Sequence, residues 1–132
     1  MNNEDVRWRQ RLHNFNKAMV HLQHALDIPA PDMVQKAGII QLFEMNAELA
    51  WKLIKDFLEA EGFNDVKTPR SAIKTAFEVQ IITDGYIWLE LLDSRNLTSH
   101  TYDEAKATEM ELLIANTYFP LLQNLLDSFN SR

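Results

Sequence analysis

Apolar side chains recur every three or four residues along most of the chain, and this spacing constrains the fold more than any other feature. In the first segment the steps between apolar residues are four, three, four, three and four, in the series Trp8, Leu12, Phe15, Met19, Leu22 and Leu26. Such a stripe is typical of an α-helix that buries one face. With only 3 glycines and 4 prolines in 132 residues, few positions can interrupt a helix. The sequence therefore predicts long helices around a common core.

Proline and capping residues divide the first part of this pattern into separate helices. Three are predicted, over residues 4–27, 33–61 and 69–80. Pro29 and Pro31 end the first helix, because proline cannot continue one. Asp32 is a plausible N-cap for the second, and Thr68 before Pro69 is a start signal for the third. The third helix is expected to turn three apolar residues inward, Ile73, Ala76 and Phe77.

Two more helices are predicted in the second half of the chain. The fourth carries Arg95 near its end. Thr101 and Glu104 have the spacing of a capping box, in which each side chain accepts from the other residue's amide. A fifth helix is therefore predicted from Thr101 to about residue 129, with Leu112, Ala115, Phe119, Leu122 and Leu126 along its inner face. Pro120 lies inside this helix and is expected to kink it.

These helices, joined by short connections, predict an all-α, up-and-down antiparallel bundle in a single domain over residues 1–132. The hydrophobic share of 46% and the charged share of 24% fit a globular protein. The uncharged stretches are far shorter than the ~20 apolar residues of a membrane span, and the acidic start lacks the apolar region of a signal peptide. With no cysteine, a cytoplasmic location is expected.

The net charge of −6 argues against general binding to nucleic acid. Such binding is mainly the neutralisation of phosphates by lysine and arginine. DNA is therefore not an expected partner, and any role with RNA needs a small local basic pocket or one shared between subunits.

One short run, Ser94-Arg95-Asn96-Leu97-Thr98-Ser99-His100-Thr101-Tyr102-Asp103-Glu104, concentrates the residue types of phosphodiester chemistry. Arginine is always charged and fits phosphate oxygens in a fork. Histidine exchanges a proton near neutral pH. On an uninterrupted helix Arg95 and His100 would lie about 140° apart, at 100° per residue. A shared site therefore requires a helix break between them, or a second subunit.

Structural roles are the alternative for these residues. An arginine and a histidine near a helix junction commonly form an ion pair or cap carbonyl groups, and Tyr102 can be a half-buried aromatic residue. His21 and His24 share a helix face, but without a Glu-x-x-His pair a ferritin-like di-metal site is not supported. No metal and no cofactor are expected. Glu44 and Glu48 also share a face, as paired surface acids often do.

Several segments in order resemble one family, the HEPN-domain proteins of the nucleotidyltransferase substrate-binding type. They are residues 48–52 (ELAWK), 68–70 (TPR), 84–85 (DG), 88–89 (WL) and 95–102 (RNLTSHTY). The resemblance runs from about Phe15 to Leu122, and the last segment is its most specific part. A bare Arg-x4-His spacing would be weak evidence alone.

The resemblance implies a homodimeric helical bundle encoded beside a small nucleotidyltransferase. Many such proteins are metal-independent ribonuclease toxins, and the nucleotidyltransferase is the antitoxin that adds AMP to the motif tyrosine. Carried onto this chain, Arg95 and His100 are the catalytic pair and Tyr102 is the modification site. The same resemblance makes Asn96 a polar neighbour that binds substrate or nucleotide with the pair.

Two other functions remain open from the sequence. The chain can be a non-catalytic subunit that binds a nucleotide or a substrate for the nucleotidyltransferase, in which case Arg95 matters and the basicity of His100 does not. It can also be a purely structural bundle, in which Arg95 only pairs with a carboxylate.

Overall fold

The computed structural model describes the chain over residues 3–95 and 103–132, with side chains from residue 5 onward. The helices are α1 (Asn3–Leu26), α2 (Met33–Ala60), α3 (Pro69–Glu78), α4 (Gly85–Ser94), α5 (Glu104–Leu113) and α6 (Phe119–Asn130). A π-helical segment, Ile114–Tyr118, joins α5 to α6. The described residues contain no strand. The predicted all-α bundle is confirmed.

Helix α2 is the centre of the bundle, in contact with α1, α3, α5 and α6. Two contacts set its direction relative to α1: Asn46 donates to the carbonyl of Ala18 at 3.2 Å, and Arg11 donates to Asp56 at 3.0 Å. The α1 residue in the contact has a lower number as the α2 residue has a higher one, so the two helices are antiparallel. Large side chains from several helices fill the core, including Phe15, Leu22, Phe43, Ile54, Trp88, Tyr118 and Phe129.

Capping residues explain where the helices begin. The Asp32 carboxylate accepts from the Gln35 amide at 2.8 Å, and the Gln35 side chain accepts from the Asp32 amide at 2.9 Å. Thr68 and Ser71 make the same reciprocal pair before α3. Both predicted starts are confirmed, because a cap depends on residues that are close in sequence.

The predicted start of the last helix at Thr101 is wrong. Helix α5 begins at Glu104, and its N-cap is Asp103, whose carboxylate accepts from the amides of Ala105 at 3.0 Å and Lys106 at 3.3 Å. An aspartate at this position satisfies two free N–H groups and places negative charge at the positive end of the helix. Thr101 itself lies outside the described residues.

Pro120 disturbs the last helix through a π-helical segment rather than at a single turn. The Phe119 amide donates to the carbonyl of Ile114, five residues back. Proline lacks an amide hydrogen and its ring collides with the carbonyl four residues earlier, so wider turns before it relieve that conflict. The wider turns also rotate the inner face: Ile114 and Tyr118 are buried, whereas Leu112, expected inside, is 50% exposed.

Phe77 was also predicted inside and is 48% exposed. It lines an apolar groove of about 180 Å³ between α3 and α4, together with Tyr86, which is fully on the surface. The Phe77 ring packs against Gly85. A Cβ atom added at this glycine would lie 3.0 Å from the ring. A helix as short as α3 buries only the narrow stripe of Ala72, Ile73 and Ala76. No described helix is long and apolar enough to cross a membrane.

Candidate functional site

Arg95 stands at the C-terminal end of α4 and reaches across to α2. Its amide donates to the carbonyl of Leu91 at 3.1 Å, which makes it the C-cap of α4. Its Nη1 donates to the Oε1 atom of Glu48. The Arg95 side chain is 17% exposed. The guanidinium is therefore fixed by a carboxylate and still partly open to solvent.

The Glu48 carboxylate has partners on both of its oxygens. Besides Arg95 on Oε1, its Oε2 accepts from Trp51 Nε1 at 3.1 Å and lies 3.5 Å from Lys52 Nζ. Trp51 is buried in the core, so its indole anchors the carboxylate. Among the described residues this carboxylate therefore has two cationic partners, Arg95 and Lys52, whose charges favour an anionic ligand at this position.

Part of the Arg95 guanidinium has no protein partner within the described part of the chain. Its Nε is buried and has no hydrogen-bond acceptor there. A buried donor without an acceptor costs about 1–3 kcal/mol. The ion pair with Glu48 therefore leaves donor capacity in Arg95 unused.

Ser94, the residue before Arg95, is held by a contact with the π-helical segment. Its hydroxyl shares a buried hydrogen bond of 2.8 Å with the hydroxyl of Tyr118, in the π-helical segment. The Tyr118 ring stacks on Phe43, with centroids 5.4 Å apart and 14° between planes. Burial raises the pKa of Tyr118, so this hydroxyl is neutral at physiological pH. The end of α4 is thus attached to both α2 and the π-helical segment, a type of segment frequent at functional sites.

The hydrogen bond between Ser94 and Tyr118 can be tested by a double-mutant cycle. We expect Ser94→Ala and Tyr118→Phe each to lower the free energy of unfolding by about 0.5–1.5 kcal/mol, because each removes one partner of this buried hydrogen bond. The double variant should lose less than the sum of the two, since neither hydroxyl remains. Urea unfolding measures all four proteins, and strictly additive losses would contradict the buried bond.

The remaining predicted site residues, Asn96, His100 and Tyr102, lie outside the described residues, and their roles stay predictions. The ends of the run are described. Helix α4 ends at Ser94, directly before Arg95, and α5 begins at Glu104. Arg95 is thus at the end of α4 and not part of α5. The predicted break between Arg95 and His100 itself falls outside the described residues and stays a prediction.

The other candidates from the sequence do not form a second site. His13, His21 and His24 are exposed on α1, and within residues 3–95 and 103–132 no group of three His, Cys, Asp or Glu residues could hold a metal ion. Trp51 and Trp88 are core residues.

Glu44 lies one turn before Glu48 on α2, and burial raises the pKa of its carboxyl above the ordinary 4.5. Its Oε1 is buried without a hydrogen-bond partner among the described residues. Because the pKa of Glu44 is raised in the folded protein, its neutral carboxyl contributes to folding stability. This contribution is fully present below pH 4.5 and is lost as the pH rises through the folded-state pKa.

Replacing Glu44 with glutamine removes that pH dependence. We expect Glu44→Gln to be more stable than the wild type at pH 7 and equal to it below pH 4.5, where both side chains are neutral. Melting temperatures of the two proteins at pH 7 and pH 4 measure the difference. A Glu44→Gln protein that is less stable at pH 7 would contradict the burial of an uncompensated charge.

Comparison with known proteins identifies the family. The family model described as "Nucleotidyltransferase substrate binding protein like" matches residues 10–131. The chain belongs to this family. The match includes α1 from residue 10 onward, all the later helices and the whole run from Arg95 to Tyr102, so the predicted resemblance to HEPN proteins of the nucleotidyltransferase substrate-binding type is confirmed.

A curated relative of this nucleotidyltransferase substrate-binding family comes from Haemophilus influenzae and is named "Probable ribonuclease HepT". It is 37% identical over 90 residues, and the match covers 58% of this chain and 58% of the relative. The chain thus spans little more than half the length of that relative.

Two solved structures share the fold. A protein from Thermus thermophilus has a TM-score of 0.77 and 30% identity, with 86% of this chain and 96% of that chain covered. A Haemophilus influenzae protein has a TM-score of 0.68 and 27% identity, with 97% and 99% covered. The second structure is described as revealing the fold of a substrate-binding domain of a nucleotidyltransferase.

Sequence reasoning identified Arg95 but missed the residues that hold it. Glu48 was interpreted as one of two surface acids, and the buried pair of Ser94 and Tyr118 was not considered. The sequence contained one usable signal: Trp51 and Lys52 follow Glu48 at three and four residues, the helical spacing of direct contact.

Proposed function

We propose that this chain is the HEPN subunit of a two-component system with a small nucleotidyltransferase, and that it acts as a metal-independent ribonuclease toxin. The observation that carries the proposal is the position of Arg95. Its guanidinium is partly exposed and held by Glu48 at the end of α4, directly before the run that contains His100. Membership in the family supports the partner, and the name of the Haemophilus influenzae relative supports the ribonuclease activity.

The proposed reaction is cleavage of RNA through its own 2′-hydroxyl. His100 takes the proton from the 2′-hydroxyl, the 2′-oxygen forms a bond to phosphorus, and the bond from phosphorus to the 5′-oxygen breaks as that oxygen takes up a proton from water. Arg95 stabilises the negative charge on the five-coordinate phosphorus. General acid–base assistance of this kind typically contributes about 10²–10⁴-fold.

A homodimer fits this reaction better than a monomer. Head-to-head contact about a two-fold axis brings two copies of Arg95 and His100 together, with Asn96 beside them as a further polar group for the substrate. Two such patches supply a local positive field on a chain whose net charge is −6. RNA is then bound at one cleft rather than over the whole surface.

Expression without the nucleotidyltransferase tests the toxin activity. We expect the wild type to arrest growth and degrade cellular RNA, and the Arg95→Ala and His100→Ala variants to do neither. Equal accumulation of the three proteins on a blot is the control. Three equally harmless proteins and intact RNA would refute the ribonuclease proposal.

Modification of Tyr102 is the proposed means of neutralisation. An AMP group on this tyrosine adds bulk and negative charge beside Arg95, which blocks the approach of RNA phosphate much as phosphorylation would. After co-expression with the partner, intact mass should show added AMP on the wild type and none on Tyr102→Phe. Unmodified wild-type protein that the partner nevertheless neutralises would contradict this step.

A substrate-binding subunit is the second candidate, favoured by the description of the Haemophilus influenzae structure. Here the Arg95 pocket holds a nucleotide or substrate phosphate and the nucleotidyltransferase carries out the chemistry. Full partner activity with His100→Gln, in a chain that does not cleave RNA, would favour this candidate. The ion pair with Glu48 also fits a purely structural bundle, which the absence of ATP or RNA binding, with and without the partner, would indicate.

A further inference from the structure

We propose that Glu48 is a positioning residue for Arg95, and that it holds the guanidinium by Nη1 so that the edge formed by Nε and Nη2 is left for a phosphate. This inference rests on the proposed function, in which Arg95 contacts the RNA phosphate. It assigns a defined task to a residue of α2 that lies 47 positions from Arg95 in the sequence.

The geometry of the guanidinium supports this assignment. The group offers two forks of parallel N–H donors, one from Nη1 with Nη2 and the other from Nε with Nη2. Glu48 occupies Nη1, whereas the buried Nε has no acceptor among the described residues. The fork of Nε and Nη2 therefore lacks an acceptor on Nε, and a phosphate that reaches this edge would supply one.

The carboxylate of Glu48 has partners of its own besides Arg95. Its second oxygen accepts from the indole of Trp51 and lies close to Lys52. Trp51 is buried, and α2 runs through the centre of the bundle. A carboxylate with these partners orients the arginine before the substrate arrives, and Lys52 offsets part of its negative charge.

Glu59 provides a matched control on the same helix. It is also partly buried and lies 3.9, 3.7 and 3.5 Å from the cationic groups of Arg7, Lys55 and Lys67. It stands 11 residues after Glu48, about 16 Å further along the helix axis. Glu59→Gln therefore removes a comparable charge from α2 without touching Arg95.

The first measurement is the rate of RNA cleavage by the purified full chain. We expect Glu48→Gln to lower kcat about 10- to 100-fold, because a misplacement of about 1 Å costs on this scale, with little change in KM. Glu59→Gln should keep the wild-type kcat. Equal kcat values for the two variants, with an active wild type and an inactive Arg95→Ala, would overturn the role of Glu48 and leave the ribonuclease proposal intact.

The second measurement does not depend on activity. The Nε–H group of Arg95 gives an NMR signal, assigned by its absence in Arg95→Lys. We expect Glu48→Gln to shift or broaden that signal and Glu59→Gln to leave it unchanged, while the melting temperatures confirm that both variants are folded. An unchanged signal in Glu48→Gln would overturn the inference even if the wild type cleaves no RNA.

Discussion

Replacing Arg95 with alanine is expected to lower kcat for RNA cleavage about 100- to 1,000-fold, the usual cost of removing one donor that stabilises developing charge. The charge on the five-coordinate phosphorus would then lack its nearest cation. The effect on folding should be small, because the ion pair of Arg95 with Glu48 is partly exposed and pairs of this kind contribute about 0–1 kcal/mol. Initial rates at saturating RNA, together with melting temperatures, separate the two effects.

Two further variants make this result specific. Arg70 is an exposed arginine on α3 that pairs with Asp93 of α4 at 2.9 Å, so Arg70→Ala removes a cation next to the same helix and should keep the wild-type rate. Arg95→Lys keeps the charge but loses the planar fork, so its rate should lie between those of wild type and Arg95→Ala. Arg95→Ala with the rate of Arg70→Ala would contradict a catalytic role for Arg95.

The largest loss of stability is expected from Arg11→Met. Asp56 is completely buried; its Oδ2 accepts from Arg11 Nε at 3.0 Å, and its Oδ1 lies 3.6 Å from Lys55. Without Arg11 the more distant lysine is the one cation left near this carboxylate among the described residues. Breaking a buried ion pair in this way typically costs about 3–5 kcal/mol. Urea unfolding at a fixed protein concentration measures the change.

A double variant separates the cost of a stranded charge from the value of the ion pair. In Arg11→Met with Asp56→Leu both charged groups are replaced by apolar ones, and the stability should recover most of the loss, because such replacements are often neutral or stabilising. Arg7→Ala is the exposed control, with its guanidinium 3.9 Å from Glu59 and an expected cost below about 1 kcal/mol. A double variant less stable than Arg11→Met would contradict this account.

The long helices could be predicted from the sequence because their determinants are local. Helix α2 was predicted over residues 33–61 and spans Met33–Ala60. Its start depends on Asp32 and Gln35, three residues apart, and its apolar residues recur at the helical period. Caps and periodicity of this kind are visible in any short window of the chain.

Predictions that depended on more than one turn or on other helices were wrong in specific ways. The π-helical segment before Pro120 rotated the inner face, so Leu112 is exposed where a regular helix would bury it. Phe77 lies on the surface because α3 is short and packs only a narrow stripe. Helix α5 begins at Glu104 rather than after Thr101, because the Asp103 carboxylate supplies an N-cap two residues later.

The candidate site also has one part that a short stretch of sequence predicts and another that depends on the packing of the helices. Arg95 could be named as a candidate site residue because the guanidinium and its spacing to His100 are visible within one short stretch of sequence. Its partner Glu48 is 47 residues away, so their pairing depends on how α2 and α4 pack and not on residues close in sequence. The hydrogen bond between Ser94 and Tyr118 also joins residues that only the packed bundle brings together.

The central claim is tested most directly with two oligonucleotides of the same sequence, one made of RNA and one of DNA, incubated with the purified full chain in the presence of EDTA. We expect the RNA to be cut to products that end in a 2′,3′-cyclic phosphate and the DNA to stay intact, because the 2′-oxygen is the nucleophile. His100→Ala protein prepared in parallel controls for contaminating nucleases. Failure to cut the RNA, or equal cleavage of both strands, would contradict the account.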